Sequence, residues 1–286
     1  MTLIVSLLLV ALSTKLCEGS FSLLSEPRQT CAGYKGIADA IAALTQSLPG
    51  QSPTSVDPLL GMQSSLQDLL RLVTVHQSCD EITGPPGLYY VRDGNDEPTQ
   101  YYCQTQLLGG GWTVIQRRTN GMANFTRSFN EYRDGFGHPD QEFWIGLTRL
   151  NRITSLTQYE LAILMDAFDG STATVRYTSF KVAPATDNFR LVTLSGFSGT
   201  TGNSMSTSVG KTFSTFDRDS DAATLNCADA SKGGWWFGAC GDSNLNGCYC
   251  GANPTTTPRT AMIWVAFKGA SQPLKGSQML IRKKRA

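Results

Sequence analysis

The chain has 286 residues, of which 41% are hydrophobic and 16% are charged, and its formal net charge is +1. This length allows one large domain or two small ones, and the apolar fraction is sufficient for a folded core. A nearly neutral chain without a long run of one charge argues against nucleic acid or a membrane surface as the partner.

Residues 1–19 predict a secretory signal peptide. Positions 3–12 are apolar except for Ser6, and Cys17 and Gly19 stand at suitable cleavage-site positions. The apolar run is shorter than the roughly 18–20 residues that a membrane-spanning helix needs. We therefore expect a secreted, extracellular protein with no membrane span.

Residues 20–78 predict an N-terminal arm made of a linker and a short helix. Residues 47–58 are rich in proline, and Asp57-Pro58 is typical of a helix start. A seam then follows at alternating spacings of three and four residues: Leu59, Met62, Leu66, Leu69, Val73 and His76. Such a short heptad pattern fits an amphipathic helix that packs on the domain, or a coiled coil that joins copies of the chain.

Residues 79–286 predict an α+β domain with a mostly antiparallel sheet. A helix is predicted over 125–137, ending at Gly135 or Gly137. The segment 159–170 is predicted to end in the turn Asp169-Gly170. From their aromatic and β-branched content, strands are predicted at 87–91, 111–118, 159–170 and 260–267.

The cysteines predict disulfide bonds and a link between chains. Cleavage after Gly19 would remove Cys17 and leave seven of the eight cysteines, an odd number in an exported chain. One cysteine is then left for a partner chain or as a free thiol. Asn124 begins the one glycosylation sequon, Asn124-Phe125-Thr126.

No catalytic constellation is visible in the sequence. His76 and His138 are the two histidines, and neither lies in a cluster with zinc-ligand spacing. The chain has no nucleophile elbow, phosphate-binding loop or H-E-x-x-H motif. We therefore predict that the protein is not an enzyme.

Three aspartates alternate along the stretch "STFDRDSDAATLNCA", residues 214–228: Asp217, Asp219 and Asp221. Closely spaced carboxylates suit Ca²⁺, which takes six to eight oxygen ligands. The loop is not an EF-hand, because Ala222 and Ala228 stand where that motif needs Gly and Glu. A solvated acidic turn is the alternative interpretation.

Six motifs in one order resemble the fibrinogen C-terminal domain family, which includes ficolins, tachylectins, tenascins and angiopoietins. They extend over the chain from Cys79 onward and read "GGGWTVIQRR", "FNEYRDGFG", "EFWIGL", "FSTFDRDSDAATLNCA", "GGWWFGAC" and "SNLNG". The resemblance implies a central twisted antiparallel sheet and a loop-rich calcium-binding subdomain.

The resemblance also implies the disulfides Cys79–Cys103 and Cys227–Cys240. With these assigned, the simplest pairing joins Cys248 to Cys250 within the chain and leaves Cys31 for an interchain bond. For Ca²⁺, the resemblance implies the carboxylates of Asp219 and Asp221 and the backbone oxygens of Ala223 and Leu225, with Asp217 as a nearby charge or cap.

The family's ligand pocket implies a cis peptide at Ala239–Cys240 that turns the N–H groups of Cys240 and Gly241 toward a ligand. Trp236 and Asn244 are added as candidate ligand contacts, although Trp235 or Trp236 could instead pack in the core. This chain departs from the acetyl-binding members, which have His where Gly241 stands. Their pocket aromatics fall near three residues that are not aromatic: Ser231, Pro258 and Ala270.

We therefore expect a calcium-dependent recognition protein. The leading interpretation is a lectin-like binder of carbohydrate or microbial surface patterns in innate immunity. The alternative is a protein-binding ligand, or a matrix or adhesion protein, of the angiopoietin and tenascin type. The arm is expected to form a disulfide-linked homo-oligomer, which would add avidity to weak single sites.

Overall fold

The computed structural model describes residues 74–92, 94, 97–252 and 259–285. The strands in these ranges are β1 (Val75–His76), β2 (Gly87–Val91), β3 (Thr99–Gln104), β4 (Trp112–Arg118), β5 (Phe136–Gly137), β6 (Phe143–Trp144), β7 (Tyr159–Ala167), β8 (Thr172–Val182), β9 (Leu191–Gly199), β10 (Ser243–Asn244), β11 (Ile263–Trp264) and β12 (Leu274–Lys283). The α-helices are α1 (Phe129–Asp134), α2 (Leu147–Leu156), α3 (Cys227–Ala230) and α4 (Val265–Lys268).

Ten of these strands form one sheet, in the order β1-β2-β3-β4-β12-β7-β8-β9, with β6 paired to β4 and β5 paired to β6. The pairs are antiparallel except β1–β2, which is parallel. Strands β10 and β11 form a separate antiparallel pair. The expected α+β class with a mostly antiparallel sheet is confirmed.

Strand β12 lies at the centre of the sheet, between β4 and β7, although it carries several polar residues. Its Arg282 is buried, and Nε of that residue donates to Oε1 of buried Glu160 on β7 at 2.8 Å. The Arg282 guanidinium also lies 4.2 Å from the centre of the Trp112 ring on β4. The ion pair and the ring offset the cost of burying both charges, so three strands share one polar cluster.

Helix α1 begins in a capping box. The Ser128 hydroxyl accepts from the Glu131 N–H, and the Glu131 carboxylate accepts from the Ser128 N–H. The helix ends at Gly135, which has φ 97°; an added Cβ there would lie 2.8 Å from the Ile145 carbonyl oxygen. Of the segment 125–137 predicted as a helix, only residues 129–134 are helical. Of the two predicted end points, the helix ends at Gly135.

Three predicted strands form where expected. Strand β2 has the predicted bounds, β4 fills all but the first residue of 111–118, and β7 ends at Ala167. The predicted turn then reverses the chain, because the Ala167 N–H donates to the Ser171 carbonyl at 2.9 Å. In each case an apolar or aromatic run is flanked by a glycine-containing turn.

Two predictions are wrong. The strand predicted over 260–267 is only the two-residue β11 followed by helix α4. Bonds from remote loops turn the chain there: the Val265 N–H donates to the Asp242 carbonyl, and the Ala266 N–H donates to Ser204 Oγ, both at 2.9 Å. His76, placed on a helical seam, lies in β1 beside β2. The rest of that seam lies outside the described residues, as do the predicted signal peptide and Cys31.

Buried Glu142 ties a loop to the sheet through four backbone N–H groups. Its Oε1 accepts from Thr119, Asn120 and Gly121 at 2.7–3.0 Å, and Oε2 accepts from Ala123 at 2.8 Å. Burial acts to raise the pKa of the Glu142 carboxyl, but the N–H bonds outweigh it and hold the pKa below its usual value.

We expect Glu142→Gln to lower the free energy of unfolding by about 2–3 kcal/mol, because an amide NH₂ would face N–H donors. Since the folded-state pKa is depressed, the carboxylate stabilises the fold above its unfolded pKa of about 4.3, and this is lost as pH falls through the folded value. Urea unfolding across pH 3–7 checks this, with exposed Glu97→Gln as the control. A Glu142→Gln deficit that persists unchanged in acid would contradict the assignment.

Candidate calcium and ligand site

The acidic loop 214–228 is anchored at both ends. Ser214 at its start pairs with Trp235 through two backbone hydrogen bonds of 2.9 and 3.1 Å. Cys227 at its end is buried and bonded to Cys240. Between these points the Ala222 N–H donates to the Gly238 carbonyl at 3.0 Å. The loop is thus held against the segment 235–240 along its length.

Asp217 caps helix α1. Its Oδ1 accepts from the Phe129 N–H at 2.9 Å and from Thr215 Oγ1 at 2.8 Å. Phe129 is the first residue of α1, so its N–H has no partner within the helix. The sequence allowed Asp217 to be a nearby charge or a cap, and the structure shows the cap.

Asp219 and Asp221 both take part in a tight coil. Asp219 Oδ1 accepts from the Asp221 N–H at 3.2 Å, and Asp221 Oδ1 accepts from the Ala223 N–H at 2.8 Å. Asp221 Oδ2 also accepts from the Cys227 N–H at 2.8 Å, next to the disulfide. A carboxylate has about four lone-pair sites, so these bonds leave acceptor capacity on both residues.

The residue types of this coil fit a calcium site. Two carboxylates lie two residues apart in the chain, and the carbonyls of Ala223 and Leu225 follow within the same coil. All of these donors are hard oxygens, which Ca²⁺ prefers. In the described ranges, no group of three or more His, Cys, Asp or Glu side chains could hold a metal. The expected set has only two carboxylates, so it does not depend on such a group.

Trp235 and Trp236 are both fully buried, and the prediction of Trp236 as a ligand contact is wrong. The Trp236 Nε1–H donates to the Phe189 carbonyl at 2.8 Å. Its ring packs against neighbouring Trp235 and among aromatic residues from distant parts of the chain: Trp144, Phe180 and Phe213. This pair of tryptophans therefore forms part of the core beneath the loops, and no sugar could stack on it.

Asn244 is also buried, so the prediction that it contacts ligand is wrong as well. Its Nδ2 donates to the Ser231 carbonyl at 3.0 Å, and its Oδ1 accepts from the Asn246 N–H at 3.1 Å. Asn246 in turn donates to the Gly234 carbonyl at 2.9 Å. The motif "SNLNG" is thus an internal brace between two loops.

The turn at Cys240 and Gly241 uses positive φ angles. No cis peptide bond occurs among the described residues, so the expected cis bond at Ala239–Cys240 is wrong. The chain instead reverses with φ 66° at Cys240 and φ 71° at Gly241. Both residues are half-buried, and Arg259 donates to the Gly241 carbonyl. Glycine suits the second of these positions, because residues with side chains rarely adopt positive φ.

The aromatic wall of an acetyl-binding pocket is not provided by the aligned positions. Ser231 is buried at the end of α3, Ala270 is half-buried, and Pro258 lies outside the described residues. With Trp236 also buried, little flat apolar surface remains for the methyl of an acetyl group.

We therefore expect little or no retention on an N-acetylglucosamine column in calcium buffer. Without an aromatic wall, an acetyl group would gain only backbone hydrogen bonds that water also supplies. The column is compared with an unsubstituted resin and eluted with a chelator. Tight retention released by chelation would overturn this view of the pocket.

Sequence reasoning missed the exposed apolar and basic side chains within the acidic loop. Phe216 and Leu225 are 45% and 53% exposed, although both are large and apolar. Arg218 lies with its guanidinium 4.1 Å from the centre of the Phe129 ring and donates to Asn188 Oδ1. Exposed apolar groups beside an oriented cation are typical of protein-binding surfaces. The only sequence signal was that all three residues stand in the same short stretch as the aspartates.

The comparisons with known proteins agree with the motifs. The family model described as the C-terminal globular domain of fibrinogen beta and gamma chains matches residues 77–284. The chain belongs to this family. Human angiopoietin-related protein 6 is 40% identical over 197 residues, which cover 68% of this chain and 42% of that protein. The match therefore spans less than half the length of that relative.

Two solved structures share this fibrinogen-type fold. The fibrinogen-like globe domain of human ANGPTL6 is 38% identical with a TM-score of 0.71, and the match covers 74% of this chain and 96% of that one. Lamprey fibrin D-dimer, complexed with the peptide Gly-His-Arg-Pro-amide, is 25% identical with a TM-score of 0.69 and covers 90% of each chain. Neither name denotes an enzyme.

The described cysteines form three disulfides, two of which the family resemblance implies and the third of which is the simplest pairing of the remaining cysteines. The structure holds the disulfides Cys79–Cys103, Cys227–Cys240 and Cys248–Cys250. Asn124 of the sequon is exposed, and its side chain accepts from the Thr126 N–H at 2.9 Å. Among the described residues, no helix is long and apolar enough to cross a membrane.

Proposed function

We propose that this chain is a secreted protein-binding ligand of the angiopoietin type. The observation that carries the proposal is which large apolar side chains are buried and which are exposed at the acidic loop. Trp236, which was predicted to contact a ligand, is buried together with Trp235, while Phe216 and Leu225 are exposed. The comparisons support the same alternative, because the relative named above is angiopoietin-related and the fibrin D-dimer carries a peptide.

The partner surface would consist of the acidic loop and the turn at Cys240 and Gly241. Phe216 and Leu225 would supply apolar contacts, and Arg218 would pair with an acidic or aromatic group of the partner. Arg259 would hold the turn, since it donates to the Gly241 carbonyl and lies 3.8 Å from the Asp242 carboxylate. These contacts suit a protein better than a neutral sugar.

Calcium would hold this surface in shape. Asp219 and Asp221 would bind the ion with the carbonyls of Ala223 and Leu225. The chemistry that Ca²⁺ supplies is the neutralisation of carboxylates and the cross-linking of oxygens in one loop. Because the Asp221 carboxylate also accepts from the Cys227 N–H, the ion would connect the loop to the Cys227–Cys240 disulfide.

A cell-binding experiment tests the proposal. The labelled chain is applied to animal cells in calcium buffer after either brief surface proteolysis or periodate oxidation of surface glycans. We expect proteolysis to remove binding and periodate to leave it. Phe216→Ser should weaken binding, and the matched change Phe197→Ser, at an exposed phenylalanine on β9, should not. Loss with periodate alone would instead support the lectin interpretation.

Secretion and assembly remain proposals that rest on the N-terminal sequence. The three disulfides agree with an oxidising compartment. We expect the mature protein to migrate as a disulfide-linked oligomer on non-reducing gels, and Cys31→Ser to convert it to a monomer. The gel with reductant is the control. Wild-type protein that migrates as a monomer without reductant would refute the interchain bond.

A further inference from the structure

We propose that Cys248–Cys250 is a thiol–disulfide exchange site that reacts with a low-molecular-weight thiol such as glutathione. The proposal is independent of the protein-ligand function above. It rests on the partial exposure of both cysteines, on the small loop that they close and on the way in which the surrounding backbone is held.

Exposure separates this bond from the other disulfides of the described residues. Cys79 and Cys103 are both buried, and Cys227 is buried beside half-buried Cys240. Cys248–Cys250 is the one pair, in the part of the chain that the structure describes, in which neither cysteine is buried. An external thiolate must reach a sulfur to attack it, so this pair is the most open to exchange.

The loop that each bond closes points to the same site. The cysteines are 24 residues apart in Cys79–Cys103, 13 in Cys227–Cys240 and only two in Cys248–Cys250. A disulfide restricts the unfolded chain more strongly when it closes a longer loop. Reduction of Cys248–Cys250 should therefore lower the free energy of unfolding less than reduction of either of the other two bonds.

Backbone contacts would keep the segment in place when the bond is open. The Cys248 N–H donates to the Thr260 carbonyl at 2.8 Å, and the Cys248 carbonyl accepts from the Met262 N–H at 3.1 Å. Gly247, just before it, packs closely enough that an added Cβ would lie 2.5 Å from the Ala261 carbonyl oxygen. Cys248 is thus fixed independently of its sulfur.

Tyr249, between the two cysteines, anchors the segment on the other side. Its hydroxyl donates to the Thr119 carbonyl at 3.1 Å, and its ring covers Gly121, where an added Cβ would lie 2.6 Å from the ring. The ring of Phe168 stands 6.3 Å away, edge to face. Because the tyrosine is held, both thiols would stay near each other after reduction, which favours closure of the bond again.

The exchange proceeds in two steps. A glutathione thiolate attacks one sulfur, so a mixed disulfide forms as the Cys248–Cys250 bond breaks, and the other cysteine leaves as a thiolate that takes up a proton. A second glutathione thiolate attacks the glutathione sulfur of the mixed disulfide, so oxidised glutathione forms and the protein cysteine leaves as a thiolate that takes up a proton. The two electrons that reduce the protein disulfide come from the two glutathione thiols.

The experiment uses the folded wild-type chain in glutathione buffers of graded reducing strength. Free thiols are trapped by alkylation, and the modified peptides are mapped by mass spectrometry. We expect Cys248 and Cys250 to be labelled at a reducing ratio about tenfold milder than the other four bonded cysteines, with a glutathione adduct at intermediate ratios. The proposal would be overturned if Cys79–Cys103 or Cys227–Cys240 were reduced before Cys248–Cys250 or at the same ratio. It would also be overturned if no glutathione adduct formed.

A variant provides a second test. The double change Cys248→Ser and Cys250→Ser should form no adduct, and its melting temperature should lie within about 5 °C of wild type. The matched double change Cys79→Ser and Cys103→Ser should lower the melting temperature much more. A Cys248→Ser and Cys250→Ser variant that fails to fold would show that the bond is needed for the structure, which contradicts an exchange role.

Discussion

We expect chelation of calcium to lower the melting temperature of the wild-type domain by about 5–10 °C. An ion that binds only the folded state stabilises it by about 2.7 kcal/mol when its free concentration is one hundred times the dissociation constant. For a domain of about 200 residues, each kcal/mol corresponds to roughly 2–4 °C. The measurement is thermal unfolding with excess Ca²⁺ and with a chelator.

Three alanine variants then separate the roles of the aspartates. Asp219→Ala should remove most of the calcium-dependent shift and change the chelated melting temperature little, because it loses only one backbone bond of 3.2 Å. Asp217→Ala should keep the shift and lower both melting temperatures, because it leaves the Phe129 N–H at the start of α1 without its acceptor, a loss of about 1 kcal/mol, while the Ser128 capping box remains.

Asp221→Ala should remove most of the calcium-dependent shift and also lower the melting temperature of the chelated protein, since this carboxylate also accepts from the Ala223 and Cys227 N–H groups. The double difference between variants, with and without Ca²⁺, isolates the ion's contribution from the loop's own hydrogen bonds. A wild-type melting temperature that chelation leaves unchanged would refute the calcium site. An Asp217→Ala variant that loses the shift as completely as Asp219→Ala would show that the ligands are wrongly assigned.

The parts of the fold that sequence predicted are those with local signals. Strands β2, β4 and β7 are apolar or aromatic runs bounded by turn residues, and the chain itself carries that information. Helix α1 was predicted from the residues of 125–137 and from its glycine end signals, of which Gly135 is the one that ends it. Asp217, Asp219 and Asp221 drew notice because like charges stood close together in a chain with few charges.

Strand β12 could not be predicted, because its polar residues are satisfied only by distant partners. Ser277 donates to buried Gln116 Oε1 at 3.1 Å, and Arg282 pairs with Glu160 from another strand. Gly276 breaks the strand pattern, yet an added Cβ there would lie 3.1 Å from Asp166 Oδ2. These partners lie more than one hundred residues away along the chain, beyond the reach of any local pattern.

The candidate site shows the same limit at single residues. From local sequence, Trp236 and Asn244 are predicted to be exposed, because one lies within the short Cys227–Cys240 loop and the other just after it. Their burial depends on Phe189, Phe213 and Ser231, which adjoin them only in the folded chain. A tryptophan in a loop has an apolar ring and a single N–H donor. Either a ligand or the core can cover the ring and accept from the N–H.

We expect Trp236→Ala to lower the free energy of unfolding by about 3–5 kcal/mol. Truncation would remove a fully buried indole, open a cavity between Phe213 and Phe180, and leave the Phe189 carbonyl without the Nε1–H donor. Such a loss is a large share of the stability of a typical domain, so we expect poor secretion of this variant as well.

Trp236→Phe and Phe216→Ala are the matched controls for this prediction, measured by denaturant unfolding with Ca²⁺ present. Trp236→Phe keeps most of the apolar volume and should lose less than Trp236→Ala, while Phe216→Ala, at a half-exposed site, should stay within about 0.5 kcal/mol of wild type. Partner binding should show the reverse order, because only Phe216 lies on the surface. A Trp236→Ala protein that is fully stable and fails only in ligand binding would show that the tryptophan lies on the binding surface, which contradicts its place in the core.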